Sequence, residues 1–134
     1  MGFYDDEHID VDDGFNSTKG GRLNPHRGVD INKHPPGTPV PALTSGVVVI
    51  SEEHHGLGWI VEVKDDNGRF PGYRHLQSRG LPVGTRVRAG DTIGRLGNTG
   101  DWSGGDHTCF TDGSALGAIY GDPDLVRDPV PYIK

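Results

Sequence analysis

Cysteine is nearly absent from this chain of 134 residues: Cys109 is the only one. An internal disulfide is thereby excluded, and with it the stapled frameworks of small secreted domains. Long apolar runs are missing too. The longest, "GVVVI", falls far short of the roughly 20 residues that span a bilayer, so no membrane span is expected. Basic blocks are lacking, and the formal net charge is -6. Nucleic-acid binding through phosphate contacts is therefore not expected. The start, "MGFYDDEHIDVDD", is acidic and polar. It has no charged segment leading into an apolar core, so no targeting signal is expected.

Glycine and proline are plentiful, at 22 and 10 residues, while hydrophobic residues make up only 32%. That balance favours many turns and short strands over long helices. The length suits one domain over 1–134. Residues 1–25 are expected to be irregular, with one short strand near Ile9–Val11, and 111–134 to form a proline-broken tail with a helical turn at Asp124–Arg127. "HRGVDI" reads as a short strand, and the four prolines of "KHPPGTPVPA" argue against helix. "SGVVVISE", "WIVEVKDD" and "FPGYRHL" are β-branched or aromatic runs broken by "HHGLG" and "DDNG", the latter a strong hairpin signal. "LPVGTRVRAGDTIGRLG" reads as one further strand pair, and "DHTCFTDG" as a late strand. The expected fold class is all-β: a small antiparallel sheet domain.

Four groups could carry chemistry. His26 and Asp30, in "HRGVD", share a face on either a helix or a strand, and imidazole nitrogen with carboxylate oxygen suits Zn²⁺. A surface histidine with a turn aspartate is the plain alternative. His75, in "GYRHLQ", shares a face with Tyr73 by strand parity. His107 and Cys109, in "SGGDHTCF", project side by side from a strand. Cys109 could be a thiolate ligand, a small buried hydrophobe, or a nucleophile activated by the imidazole. His54 and His55 point opposite ways on a strand and read as a solvated turn.

The order of these pieces resembles the M23 peptidases, the lysostaphin-like or LytM-type zinc endopeptidases of peptidoglycan. The resemblance runs from about Gly14 to about Phe110. "HRGVDI" looks like the family's H-x-x-x-D motif, and "PPGTPVPALTSGVVV" like its G-T-P-V-x-A-x-x-x-G-x-V segment. "GYRHLQ" looks like Y-x-H-L, "VGTRVRAGDTIGRLGNTG" like the strand pair before the last motif, and "SGGDHTCF" falls where the family has G-x-H-x-H-F. The resemblance implies the family's sheet with a groove across it, and Zn²⁺ held by His26, Asp30 and the residue at Cys109. It implies that His75 and His107 flank the catalytic water and stabilise charge on the scissile carbonyl. The family has histidine where Cys109 stands, leucine where Thr108 stands, and often an acid where Thr111 stands.

On that resemblance the expected activity is zinc-dependent hydrolysis of peptide bonds in bacterial peptidoglycan. The groove would be walled by "HHGLG", "DDNG" and "GNTGDW", with Trp59 and Trp102 as candidate walls. The absence of an export signal suggests a bacteriophage lysin, held in the host cytoplasm before lysis or carried on the virion, or one domain of a larger exported protein. The rival reading is a metal-free binding or structural module, such as a phage tail component or a regulator of another hydrolase.

Overall fold

The computed structural model describes residues 29–31, 34, 35, 37–99, 108–120 and 125–127. The β-branched runs form strands, as expected: β1 (Val29–Ile31), β2 (Pro39–Pro41), β3 (Gly46–His54), β4 (Gly58–Asp65), β5 (Phe70–Leu76), β6 (Arg86–Val87), β7 (Thr92–Arg95), β8 (Thr108–Gly113) and β9 (Val126–Arg127). The larger sheet has the order β1-β8-β5-β4-β3-β6, with β9 added beside β8, and the smaller one pairs β2 with β7. Every pairing is antiparallel. The all-β class is therefore correct.

The core lies between the two sheets. Val48, Val61, Tyr73 and Phe110 of the large sheet meet Val40 of β2, Ile93 of β7 and Leu96. Tyr73 and Phe110 pack edge to face, with ring centroids 5.2 Å apart, the arrangement that ring quadrupoles favour. The buried phenol is not left unpaired, since the Leu43 main-chain N–H donates to Tyr73 Oη at 3.0 Å. On the opposite face of the large sheet a single 3-10 turn, Ala118–Tyr120, seals a smaller cluster of Leu57, Ile60 and Ile119. Gly72 makes this contact possible, because a Cβ there would overlap Thr111 and Ile119. Beyond the turn that face carries a cleft of about 530 Å³ lined by Val47, Lys64, Phe70, Val83 and Leu116, none of which belongs to the "HHGLG", "DDNG" or "GNTGDW" segments expected to wall the groove.

Three local expectations need correction. β6 and β7 are not a strand pair: β6 joins β3 and β7 joins β2, so the two strands belong to different sheets. Glycine turns signal a reversal but do not choose the partner. The helical turn expected at Asp124–Arg127 does not appear in its described residues, 125–127; Val126 and Arg127 pair instead with Gly113 and Asp112 at the end of β8. The solvated turn expected at His54 and His55 is solvated only in part: His55 is exposed and His54 half-buried, while Gly56, Leu57 and Gly58 beside them are buried. The expected strand near Ile9–Val11 lies outside the described residues.

Candidate functional site

Two of the three candidate ligand positions, Asp30 and Cys109, are paired by sheet register. β1 and β8 pair with Val29 opposite Phe110 and Ile31 opposite Thr108. Ile31 and Phe110 are both fully buried in the core between the sheets. Slipping β1 by one residue along β8 would turn Ile31 out of that core, so the pairing is strongly specified. Asp30 and Cys109, the positions between, are register partners on the two strands. On its far side Cys109 is the register partner of Arg74. A row Asp30–Cys109–Arg74 thus crosses three strands. Two ligand positions opposite each other on adjacent strands are close enough to share one ion. The donor types, carboxylate and thiolate, suit zinc. His26 and His107 lie outside the described residues, and among the described residues no cluster of three or more metal-binding side chains forms.

His75 is placed by an irregularity that parity could not show. Trp59 pairs with Leu76 and Val61 with Tyr73, so Arg74 and His75 together oppose Ile60. This is a β-bulge, which bends a strand and redirects its side chains. His75 takes φ 59° and is the only non-glycine with positive φ among the described residues. A left-handed non-glycine residue costs on the order of 1–3 kcal/mol and persists only where its surroundings enforce it. The bulge resets the alternation: Tyr73 and Leu76 both enter the core, and His75 leaves the face it was expected to share with Tyr73.

Two contacts enforce this geometry. The His75 main-chain N–H donates to Leu57 O at 2.8 Å, and the ring Nδ1 lies 2.8 Å from Thr99 O. A carbonyl only accepts, so Nδ1 carries the hydrogen and, in the neutral ring, Nε2 carries the basic lone pair. Thr99 is a junction. Its hydroxyl accepts from Trp59 N–H at 3.1 Å and donates to Leu76 O. Gly58 abuts it so closely that a Cβ would overlap the Thr99 main chain.

Arg74 is buried, with Nε and Nη2 donating to Ile119 O at 2.9 and 2.6 Å. The N–H groups of Gly117 and Ile119 donate to the two carboxylate oxygens of Glu62, each at 2.9 Å. Burial pushes the Glu62 carboxyl above its ordinary pKa, and the two N–H donors oppose that shift. Glu62 and Arg74 therefore grip the peptide groups of the 3-10 turn from β4 and β5. Neither they nor Thr99 were candidates from the sequence. The available signal was a charged residue inside an apolar strand run, in "WIVEV" and "GYRHL". Thr111 Oγ1 is buried and finds no hydrogen-bond partner among the described residues.

His54 and His55 do not point apart. β3 ends at His54, and the two rings stack with centroids 4.4 Å apart. Trp59 packs partly buried against the core, with the Arg79 guanidinium 5.2 Å from its ring centroid. Trp102 lies outside the described residues. Among the described residues lining the cleft beside Phe70, Lys64 is the single ionisable one.

Comparison with known proteins gives a consistent result. The model of peptidase family M23 matches residues 24–114. The peptidoglycan DD-endopeptidase ShyC of Vibrio cholerae serotype O1 is 40% identical over 84 residues, covering 63% of this chain and 19% of that protein. This chain thus spans about a fifth of the length of that curated relative. Among solved structures, the catalytic domain of the antimicrobial peptidase lysostaphin from Staphylococcus simulans superposes with a TM-score of 0.77 at 28% identity, covering 93% of this chain and 90% of that one. A mutant catalytic domain of the prophage-encoded M23 protein EnpA from Enterococcus faecalis gives 0.72 at 27% identity, covering 90% and 87%.

Proposed function

The chain belongs to peptidase family M23, and from that premise we propose that it is a zinc-dependent endopeptidase of bacterial peptidoglycan. The observation that carries this reading is the β1–β8 register, which sets Asp30 directly opposite Cys109. With His26 they would make a nitrogen, oxygen and sulfur donor set that suits zinc and leaves a fourth position open. Bound there, zinc supplies Lewis-acid polarisation of the scissile carbonyl and lowers the pKa of water.

The remaining steps fall to the chain's own groups. His75 Nε2 is the basic nitrogen, because Nδ1–H is committed to Thr99 O at 2.8 Å. It takes a proton as a base and returns it as an acid. In this reading His107 is its partner and would donate to the developing oxyanion. The rigid mounting of His75, by bulge and by Thr99, keeps the ring from reorganising during the reaction. The substrate reading draws support from ShyC, a peptidoglycan DD-endopeptidase. A bacteriophage origin, with release at lysis or carriage on the virion, draws support from the prophage-encoded EnpA. We take residues 1–134 as one peptidase domain.

Purified protein should carry one zinc per chain and clear a suspension of cell walls, and a chelator should stop it. His75→Ala should lower turnover by about 10²–10⁴-fold while zinc stays bound. Cys109→Ser should weaken zinc binding, since a neutral hydroxyl is a poor ligand, and Cys109→His should retain both metal and activity. Wall clearance that survives complete metal removal would refute the zinc reading. A folded protein that binds no zinc and clears no wall would instead support a binding or structural module, the reading that the change to cysteine at the third ligand position favours.

A further inference from the structure

The turn between β3 and β4 contains a titratable group that the proposed reaction does not use. His54 Nδ1 accepts the main-chain N–H groups of Gly56 and Leu57, both at 3.1 Å. Leu57 connects this acceptor to the candidate site. Its N–H points to His54, and its carbonyl accepts the His75 main-chain N–H at 2.8 Å. Gly56 and Leu57 are buried, so their N–H groups have no water to turn to if the acceptor is lost. His75 in turn sits in a left-handed conformation, φ 59°, which its neighbours must hold against its own preference.

We propose that His54 is a positioning residue for His75: its neutral ring caps the β3–β4 turn, the cap fixes the Leu57 carbonyl, and that carbonyl holds the His75 main chain in its bulge. Protonating His54 removes the Nδ1 lone pair and sets an N–H against two N–H donors, so the turn opens and His75 loses an anchor. The acid–base role of His75 in the proposed peptidase is the premise of this inference.

The surroundings of His54 fit a ring that must stay neutral. Its pKa is lowered, first by burial and then by the charge of His55, whose ring stacks on it. Glu52, on the same strand, opposes the shift, and the Arg74 guanidinium from β5 adds to it. Tyr120, from the 3-10 turn, has its ring 5.8 Å away. Burial, and then the Glu52 hydrogen bond, push its phenol up to about 12, so it brings no charge near neutrality. The sign follows from proton counting. A folded-state value below the unfolded one means the native protein binds fewer protons. The contribution of His54 to stability is then complete above the unfolded value of about 6.5, and it is lost as pH falls through the depressed folded value.

The test uses the full chain with zinc bound. Asparagine places Oδ1 at the same bond distance from Cα as His54 Nδ1, accepts the same N–H groups, and does not titrate. Three proteins are compared between about pH 7.5 and about pH 5: the parent, His54→Asn and His54→Ala. Each is followed by amide hydrogen exchange at Gly56 and Leu57, by the NMR signal of the His75 Nδ1–H, and by kcat and KM on a wall peptide. In the parent, protection should fall by about tenfold, the effect of one ordinary hydrogen bond, as pH passes below the His54 midpoint. The His75 signal and kcat should follow it while KM holds. His54→Asn should abolish that component of all three curves, and His54→Ala should show the unprotected state at every pH. Identical pH curves for parent and His54→Asn at His75 would overturn the inference, even if His54→Ala failed to fold. If the exchange and NMR results hold but no protein cleaves the peptide, the peptidase reading fails and the mechanical link stands.

Discussion

At one end of β4, Asp65 Oδ1 accepts the main-chain N–H groups of Asn67 and Arg69, at 2.9 and 2.8 Å. At the other end, His54 Nδ1 accepts those of Gly56 and Leu57. Both hairpin turns thus satisfy two orphan donors with one side-chain acceptor. The settings differ. Asp66, Asn67 and Gly68 are exposed, and nothing lies within 4 Å of where a Gly68 Cβ would be. Gly56, Leu57 and Gly58 are buried, and Gly58 is pressed against Thr99, the residue that holds the His75 ring. Carboxylates keep their charge near neutrality, whereas imidazoles change theirs there. The first turn joins two strands. The second also anchors a candidate catalytic group, and its cap can be titrated.

The sharpest way to break this comparison is to add one methyl group to each turn glycine. Gly58 has φ 71°, and its Cβ would strike the Thr99 main chain. Gly58→Ala should cost more than about 3 kcal/mol, combining overpacking with left-handed strain, and should remove wall-clearing activity from whatever protein stays folded. Urea unfolding and activity per folded molecule measure both effects. Gly68 has φ 83° but open space, so Gly68→Ala should cost only about 1–2 kcal/mol and leave activity intact. Equal losses in the two variants would mean that burial and Thr99 do not separate the turns.

Between these extremes lies Asp65→Ala. It strips the acceptor from Asn67 and Arg69 and also removes the Asp65 Oδ2 contact to Thr44, 3.2 Å away. Thermal unfolding should show a loss of about 1–3 kcal/mol, with the pH dependence of kcat unchanged. A displaced acid limb in Asp65→Ala would show that either turn can disturb His75, and the special role given to the β3–β4 turn would then be wrong.

Much of this difference was legible, and the unread part has a definite cause. "DDNG" announces a hairpin because aspartate, asparagine and glycine each satisfy a local requirement of a tight turn. The hairpin forms where expected, between Asp65 and Arg69. "HHGLG" announces a turn equally well, but nothing local tells that Leu57 will be buried against Ile60 and Ile119, residues that meet only after β4 and the 3-10 turn pack. The bulge at Arg74–His75 left no local mark either. It is imposed by core demands on Tyr73 and Leu76 at both ends of it. β6 and β7 were readable as strands, yet their separation between two sheets depends on which distant edge each one finds.

What the sequence determined by itself is local in origin. Alternation and β-branching decided the strands, Gly, Pro, Asn and Asp decided where they stop, and residue type decided which side chains could bind zinc or move a proton. Only the tertiary structure decided which of those side chains meet. Asp30 and Cys109 are far apart in the chain, and they are register partners because the pairing of β1 with β8 buries Ile31 and Phe110. His75 adopts its left-handed geometry because Leu57, from the β3–β4 turn, and Thr99, from the segment after β7, hold it there. Register and bulges are settled by the burial of whole faces at once, and that energy is absent from any short window of sequence.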